Sequence, residues 1–122
     1  MVRYSDTPTT EVQVDIATPP ERVWQLVTDI NIPARFSDEF QGAEWLDGAV
    51  PALGSRFVGR NGHPVAGQWE TTCTIIWFEP QRSFGYAVNV VVAPAARWRF
   101  VLVPAGDGTK LTMWAQMGPG RS

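Results

Sequence analysis

The sequence predicts an α+β fold in which a curved antiparallel sheet of about seven strands is combined with two short helices after the first strand. Two observations carry this prediction. Most of the chain from residue 43 onward alternates between apolar and polar residues, and short turn-forming groups separate the alternating segments. Connections this short join antiparallel neighbours. With 122 residues, of which 44% are apolar, the chain is expected to form a single domain, residues 1–122.

Seven segments alternate in the way that is typical of strands. In the first of them Val12, Val14 and Ile16 share one face. The predicted strands are Thr10–Ala17, Ala43–Leu46, Ser55–Asn61, Gln68–Phe78, Ser83–Val91, Ala96–Val103 and Thr109–Met117.

The segment after the first strand predicts a short amphipathic helix. We place Thr18 as its N-cap and two prolines in its first turn, with Glu21 three residues after the cap as in a capping box. Apolar residues then recur at helical spacing, at Val23, Trp24 and Val27. Pro33 ends this pattern, and residues 34–40 predict a second short helical piece.

Alternation in the later strands indicates which side chains share the inner face of the sheet. These are Trp69, Thr71, Cys73, Ile75 and Trp77 on one strand, Phe84, Tyr86 and Val88 on the next, then Trp98, Phe100 and Leu102, and finally Leu111, Met113, Ala115 and Met117. Arg97, Arg99 and Trp114 are predicted on the outer face, with both arginines solvated. The inner face is therefore apolar, and two short helices cover too little of it.

Composition excludes several classes of protein. Ten basic and twelve acidic side chains give a formal charge of −2 without a basic stripe, so a nucleic-acid partner is not expected. The single cysteine excludes an intramolecular disulfide. No apolar run is long enough to span a bilayer, and the first residues show no secretory signal, so we expect a cytoplasmic protein.

The order of elements resembles the polyketide cyclase/dehydrase-like family of the START-like, or helix-grip, superfamily, which also includes the birch-pollen allergen and lipid-transfer domains. The resemblance runs from about Glu11 to Gly118 through the segments VQVDIATPPERVWQLVTDI, EWLDG, LGSRFVGRN, WETTCTIIWFEPQRSFGYAV and ARWRFVLVPAGDGTKLTMWAQMG. It implies a helix-grip fold around a cavity. It implies no common set of catalytic residues, because members share the cavity and not the chemistry.

One feature departs from that family. Such domains continue from the last strand into a long helix that closes the pocket, whereas residues 118–122 encode no helix. We therefore expect a domain truncated at its C-terminus, or one whose open sheet leads to homodimerisation or exchange of elements.

The predicted site is a pocket for a hydrophobic small molecule. Asn61, Thr71 and Tyr86 would orient the ligand through hydrogen bonds, and Cys73 also lines the pocket. The alternatives are that Asn61 only fixes the following turn and that the other polar groups satisfy one another. The walls are assigned to Phe57, Trp69, Ile75, Trp77, Tyr86, Trp98, Phe100, Met113 and Met117.

Metal and cofactor sites are not expected. His63 is the only histidine, and it is either an exposed turn residue or a group at the rim of the cavity. The carboxylates of Asp38, Glu39 and Glu44 show no ligand spacing and are expected on a solvated loop. Catalytic residues are not assigned.

Three functions remain open at this stage. The first is binding of a lipid or polyketide-like molecule. The second is a polyketide aromatase/cyclase, which the resemblance implies and which would need an acid or base such as Tyr86 or His63 aimed into the pocket. The third is a protein-interaction module that depends on outward residues such as Trp114.

Overall fold

The computed structural model describes residues 8–31, 40–65 and 67–120. Its elements are one strand, one α-helix and six further strands, with a short 3₁₀ turn at Leu46–Gly48. The bounds are β1 Thr9–Ile16, α1 Pro20–Val27, β2 Phe40–Trp45, β3 Arg56–His63, β4 Gly67–Glu79, β5 Ser83–Val88, β6 Ala96–Ala105 and β7 Gly108–Met117.

All seven strands form one antiparallel sheet, in the order β1-β7-β6-β5-β4-β3-β2. Strands β2 to β7 follow one another as a meander, because each short connection returns the chain beside the strand it has just left. Strand β1 joins the far side of this meander by pairing with β7. The predicted α+β class with an antiparallel sheet is confirmed.

Helix α1 begins one residue later than predicted. Its N-cap is Pro19, with extended backbone angles and no side-chain capping hydrogen bond, so the predicted capping box of Thr18 and Glu21 is wrong. Instead, the Thr18 carbonyl accepts a hydrogen bond of 2.7 Å from the buried Thr109 hydroxyl of β7. This bond ties the start of the helix to the sheet, and Pro20 then fits the first helical position because it lacks an N–H.

The second predicted helical piece lies almost wholly outside the described residues. Only its last residue, Phe40, is described, and it begins β2. After β7 the described chain continues to Gly120, and no helix occurs in that stretch.

The core lies between α1 and the side of the sheet that α1 contacts, which we call the inner face. Val23 of the helix is buried against Leu102 and Leu111. Trp24, on the same helix, makes edge-to-face contacts with Phe78 at 5.5 Å and Phe84 at 6.2 Å between ring centroids. A second buried cluster lies towards β2 and β3 and comprises Ile30, Ala43, Phe57, Cys73, Ile75 and Phe84.

Candidate functional site

Cross-strand pairing shows which predicted site residues share the inner face. Directly paired residues of an antiparallel sheet point to the same side. One row across the sheet contains Phe57, Cys73, Val88, Ala96 and Met117, the next contains Ile75, Tyr86, Trp98 and Ala115, and a third contains Phe84, Phe100 and Met113. Thr71, Trp69 and Asn61 lie on the same face, near the point where β3 ends and β4 begins. Eleven of the twelve predicted residues therefore lie on this face.

The exception is Trp77, which the sequence placed on the inner face. The pairing of β4 with β5 shifts register between Ile75 and Trp77, so that Ile75 opposes Tyr86 while Trp77 opposes Gly85. The extra residue of this β-bulge turns Trp77 to the outer face. The prediction for Trp77 is thus wrong, since a β-bulge interrupts the alternation of side chains between the two faces of a strand.

Burial divides the inner face into a closed part and an open part. Near β3 and β4, Phe57, Cys73 and Ile75 are at most 4% exposed. On β1, β6 and β7, in contrast, Val12 is 48% and Trp98 is 37% exposed, while Phe100, Met113 and Met117 are half-buried. Large apolar side chains of the inner face are thus accessible beside a packed core.

A small polar group lies within this apolar surface. The side chains of Thr71 and Cys73 form a hydrogen bond, and Cys73 lies close enough to Tyr86 for the two groups to interact electrostatically. The Tyr86 ring contacts Phe57 edge-to-face at 5.2 Å and Phe84 at 6.3 Å. These ring contacts fix the orientation of the tyrosine on the inner face.

Burial disfavours ionisation of both titratable groups of this cluster. Desolvation raises the pKa of the Cys73 thiol from 9.0 to about 12, although the hydrogen bond with Thr71 acts in the opposite direction. Desolvation also raises the pKa of the Tyr86 hydroxyl above 10.0, and the neighbouring Cys73 adds to the shift. At neutral pH Tyr86 is therefore a neutral group that can donate a hydrogen bond and is a poor base.

The outer face carries a second aromatic cluster that the sequence did not predict as a unit. Trp77 and Trp114 meet edge-to-face at 5.7 Å, and the Arg99 guanidinium lies 5.0 Å from the centre of the Trp77 ring. Arg99 also donates a 3.0 Å hydrogen bond to the Ser83 hydroxyl. A cavity of about 320 Å³ at this point is lined by Glu11, Trp77, Arg99, Val101, Thr112 and Trp114.

The outward prediction for Trp114, Arg97 and Arg99 is confirmed by their register. The expected solvation of the two arginines is wrong, because both are half-buried. Arg97 donates to the Gln116 side chain in the next strand. The burial of Arg99 could not be predicted from the alternation, because it depends on the bulge in β4 that brings the Trp77 ring beside Arg99.

A second cavity of about 320 Å³ lies where β2 and β4 begin and β3 ends. Its lining is Gln41, Arg60, Asn61, Gln68, Trp69 and Glu70. Two predicted residues, Asn61 and Trp69, thus meet polar residues that sequence reasoning missed. Gly62 leaves the space that the Gln41 amide occupies, and an isolated glycine in a strand is the signal that would have indicated such a close approach.

The carboxylates singled out in the sequence do not assemble a site in the described chain. Glu44 forms a salt bridge of 2.7 Å with Arg60. Asp38, Glu39 and the side chain of His63 lie outside the described residues. Within residues 8–31, 40–65 and 67–120, no group of three or more metal-ligating side chains occurs.

A seven-stranded antiparallel sheet with a short helix after its first strand is the arrangement expected of the helix-grip, START-like class up to the last strand. A family model described as polyketide cyclase/dehydrase and lipid transport matches residues 7–122. The chain belongs to this family, as the resemblance of its segments implied.

Solved structures share this fold. The polyketide-cyclase-like protein Cgl2372 from Corynebacterium glutamicum is 32% identical, with a TM-score of 0.67 over 91% of this chain and 66% of that protein. Ara h 8.0201 is 13% identical, with a TM-score of 0.72 over 95% of this chain and 80% of that one. The major latex-like protein 151 of Panax ginseng is 12% identical, with a TM-score of 0.66 over 93% and 81%. The last two show the fold alone.

The chain spans slightly less than two thirds of the length of the Corynebacterium protein. No curated protein matches it. In the described part of the chain, no helix has the length and apolar character needed to cross a bilayer.

Proposed function

We propose that the protein binds a hydrophobic small molecule against the inner face of its sheet. The observation that carries this proposal is the accessible apolar surface formed by Val12, Trp98 and their neighbours beside the packed core. Val14 on β1 is also 38% exposed on the same side. Apolar area buried by a ligand contributes roughly 25 cal/mol per Å², and an exposed apolar patch on a folded chain marks a place where such burial occurs.

The proposed ligand lies between the open part of the inner face and α1. Aromatic and aliphatic walls supply the affinity, and the cluster of Thr71, Cys73 and Tyr86 supplies hydrogen bonds. The family description, which names lipid transport, supports a carrier of this kind. The proposed walls are Phe57, Trp69, Ile75, Tyr86, Trp98, Phe100, Met113 and Met117, with Asn61 at the rim.

Native mass spectrometry of the purified protein, followed by organic extraction, tests this proposal. We expect a bound apolar molecule that extraction releases. Trp98→Ala should reduce the bound fraction, while Trp114→Ala on the outer face serves as the matched control and should leave it unchanged. If both variants retain the ligand equally, the inner face is not its site.

Catalysis is a second candidate, favoured by one observation, the neutral Tyr86 on the inner face. The family description also names polyketide cyclases and dehydrases. A neutral phenol can hydrogen-bond to a carbonyl oxygen of a substrate and polarise it, which promotes aldol condensation and dehydration. Incubation with a poly-β-ketone substrate, followed by product analysis, would reveal turnover that Tyr86→Phe removes. A substrate recovered unchanged from both forms would exclude this role.

A further inference from the structure

We propose that the ligand is an uncharged molecule that presents a carbonyl or hydroxyl oxygen to Tyr86. This inference rests on the proposed binding function and specifies the chemical class of the ligand. It combines two observations: the distribution of charge between the two sides of the sheet, and the position of Tyr86 within the apolar surface.

The charged side chains of the described strands all lie on one face of the sheet. Every described Asp, Glu, Lys and Arg of the seven strands lies on the outer face according to its pairing, and none lies on the inner face. These residues are Glu11, Asp15, Glu44, Arg56, Arg60, Glu70, Glu79, Arg97, Arg99 and Lys110. The helix side chains that pack onto the inner face, Val23, Trp24 and Val27, are apolar as well.

A ligand with an ionised group would therefore lose its hydration on this surface without gaining an opposite charge. Transfer of an isolated carboxylate or ammonium group into such surroundings is strongly unfavourable. The described inner face thus selects against a molecule that places an ionised group on it. Neutral ketones, alcohols and esters do not incur this cost.

The position of Tyr86 explains why the ligand should carry an oxygen atom. Its ring is fixed by Phe57 and Phe84, and it belongs to the same inner-face row as the exposed Trp98, its partner on β6. The Tyr86 side chain is half-buried, so a ligand on this face can contact it. A hydroxyl that the ligand covers needs a partner, because a desolvated polar group without one is costly. A ligand oxygen that accepts from Tyr86 while the ligand's apolar part contacts Trp98 satisfies both side chains.

Three naphthalene derivatives of similar shape test the class of ligand directly. The probes are 2-acetylnaphthalene, which is neutral and carries a carbonyl, 2-ethylnaphthalene, which lacks oxygen, and 2-naphthoate, which is anionic at pH 7.5. Their dissociation constants can be measured by quenching of tryptophan fluorescence and by calorimetry. We expect 2-naphthoate to bind at least tenfold more weakly than 2-acetylnaphthalene. Equal or tighter binding of the anion would overturn the inference and leave the proposed binding function intact.

The variant Tyr86→Phe isolates the contribution of the hydroxyl. We expect it to weaken binding of 2-acetylnaphthalene by about three- to tenfold and to leave 2-ethylnaphthalene unaffected. An equal effect on the two neutral probes, or no effect on either, would show that Tyr86 does not recognise an oxygen atom. If none of the three probes binds the wild-type protein, the proposed binding function fails, and this inference fails with it. Thermal melting checks that the variant is folded.

Discussion

Cys73 and Tyr86 are the two ionisable side chains of the described inner face whose chemistry burial changes most. The Cys73 thiol is 4% exposed, and its pKa is raised to about 12. The thiolate is the nucleophile of a cysteine, so a raised pKa reduces its reactivity together with its accessibility. The residue therefore behaves as a small apolar side chain with a weak hydrogen-bonding group.

Slow alkylation of Cys73 is the first expected result. At pH 8 the thiolate population is about a thousandfold lower than that of a thiol with the ordinary pKa of 9.0. We expect iodoacetamide to modify the native protein very slowly and the urea-unfolded protein at the normal rate, as followed by mass spectrometry. Rapid modification of the folded chain would show that the thiol is not buried as described.

Stability at alkaline pH should also depend on Cys73. Above pH 9 the unfolded chain loses the thiol proton while the folded chain keeps it, so the unfolded state binds fewer protons and the free energy of unfolding falls. For a group that is ionised in the unfolded chain and protonated in the folded one, the free energy of unfolding falls by about 1.4 kcal/mol per pH unit, here between pH 9 and 12. Urea titrations at pH 8 to 10.5 should show this decline, and Cys73→Ala should reduce it. An unchanged slope in the variant would assign the decline to other groups.

Gly85 is required where β5 passes beneath Trp77. A Cβ atom at this position would collide with the carbonyl oxygen of Trp98 and with the Trp77 ring, and backbone atoms cannot move away cheaply. We expect Gly85→Ala to lower the free energy of unfolding by about 2 to 3 kcal/mol, measured by urea unfolding. Gly48→Ala is the control, because Gly48 has open space around it and only a positive φ of 69°, which costs about 1 kcal/mol.

Among the secondary-structure elements, α1 is attached to the sheet through a narrow apolar stripe. Val23 is 1% exposed, whereas Leu26 on the same helix is 41% exposed. We expect Val23→Ala to lower the free energy of unfolding by about 2 kcal/mol because it leaves a cavity against Leu102 and Leu111. Leu26→Ala should change it by less than about 0.5 kcal/mol. Similar losses in both variants would contradict the described orientation of the helix.

The strands and the helix could be predicted from the sequence because their hydrophobic periods are regular. Alternation places Phe84, Tyr86 and Trp98 on the correct face, since the pairing of β5 with β6 has no irregularity. The side of Trp77 could not be predicted, because the bulge depends on how β4 fits β5 and leaves no mark in the alternation. The start of α1 was misplaced for a related reason. Thr18 is a favourable cap by residue type, yet its carbonyl bonds to Thr109, which lies far away in the sequence.

On the scale of the whole molecule, the open part of the inner face should cause the ligand-free protein to self-associate and to bind apolar dyes. Val12, Val14 and Trp98 are accessible on one continuous side of β1, β7 and β6. We expect the ligand-free protein to enhance the fluorescence of the uncharged dye Nile red and to associate as its concentration rises, as seen by light scattering. Val12→Thr combined with Val14→Thr should reduce both effects. A monomer at high concentration that binds no dye would contradict this expectation.

Strand β1 also has a consequence for the order in which the protein folds. Its eight residues pair with β7 partners that are about 100 positions away in the chain, whereas each of the hairpins from β2 to β7 closes a short loop. The meander can therefore assemble from local hairpins, while β1 must wait for the longest loop to close. We infer that docking of β1 is the late step of folding, and that β1 is the strand that two chains would exchange most readily.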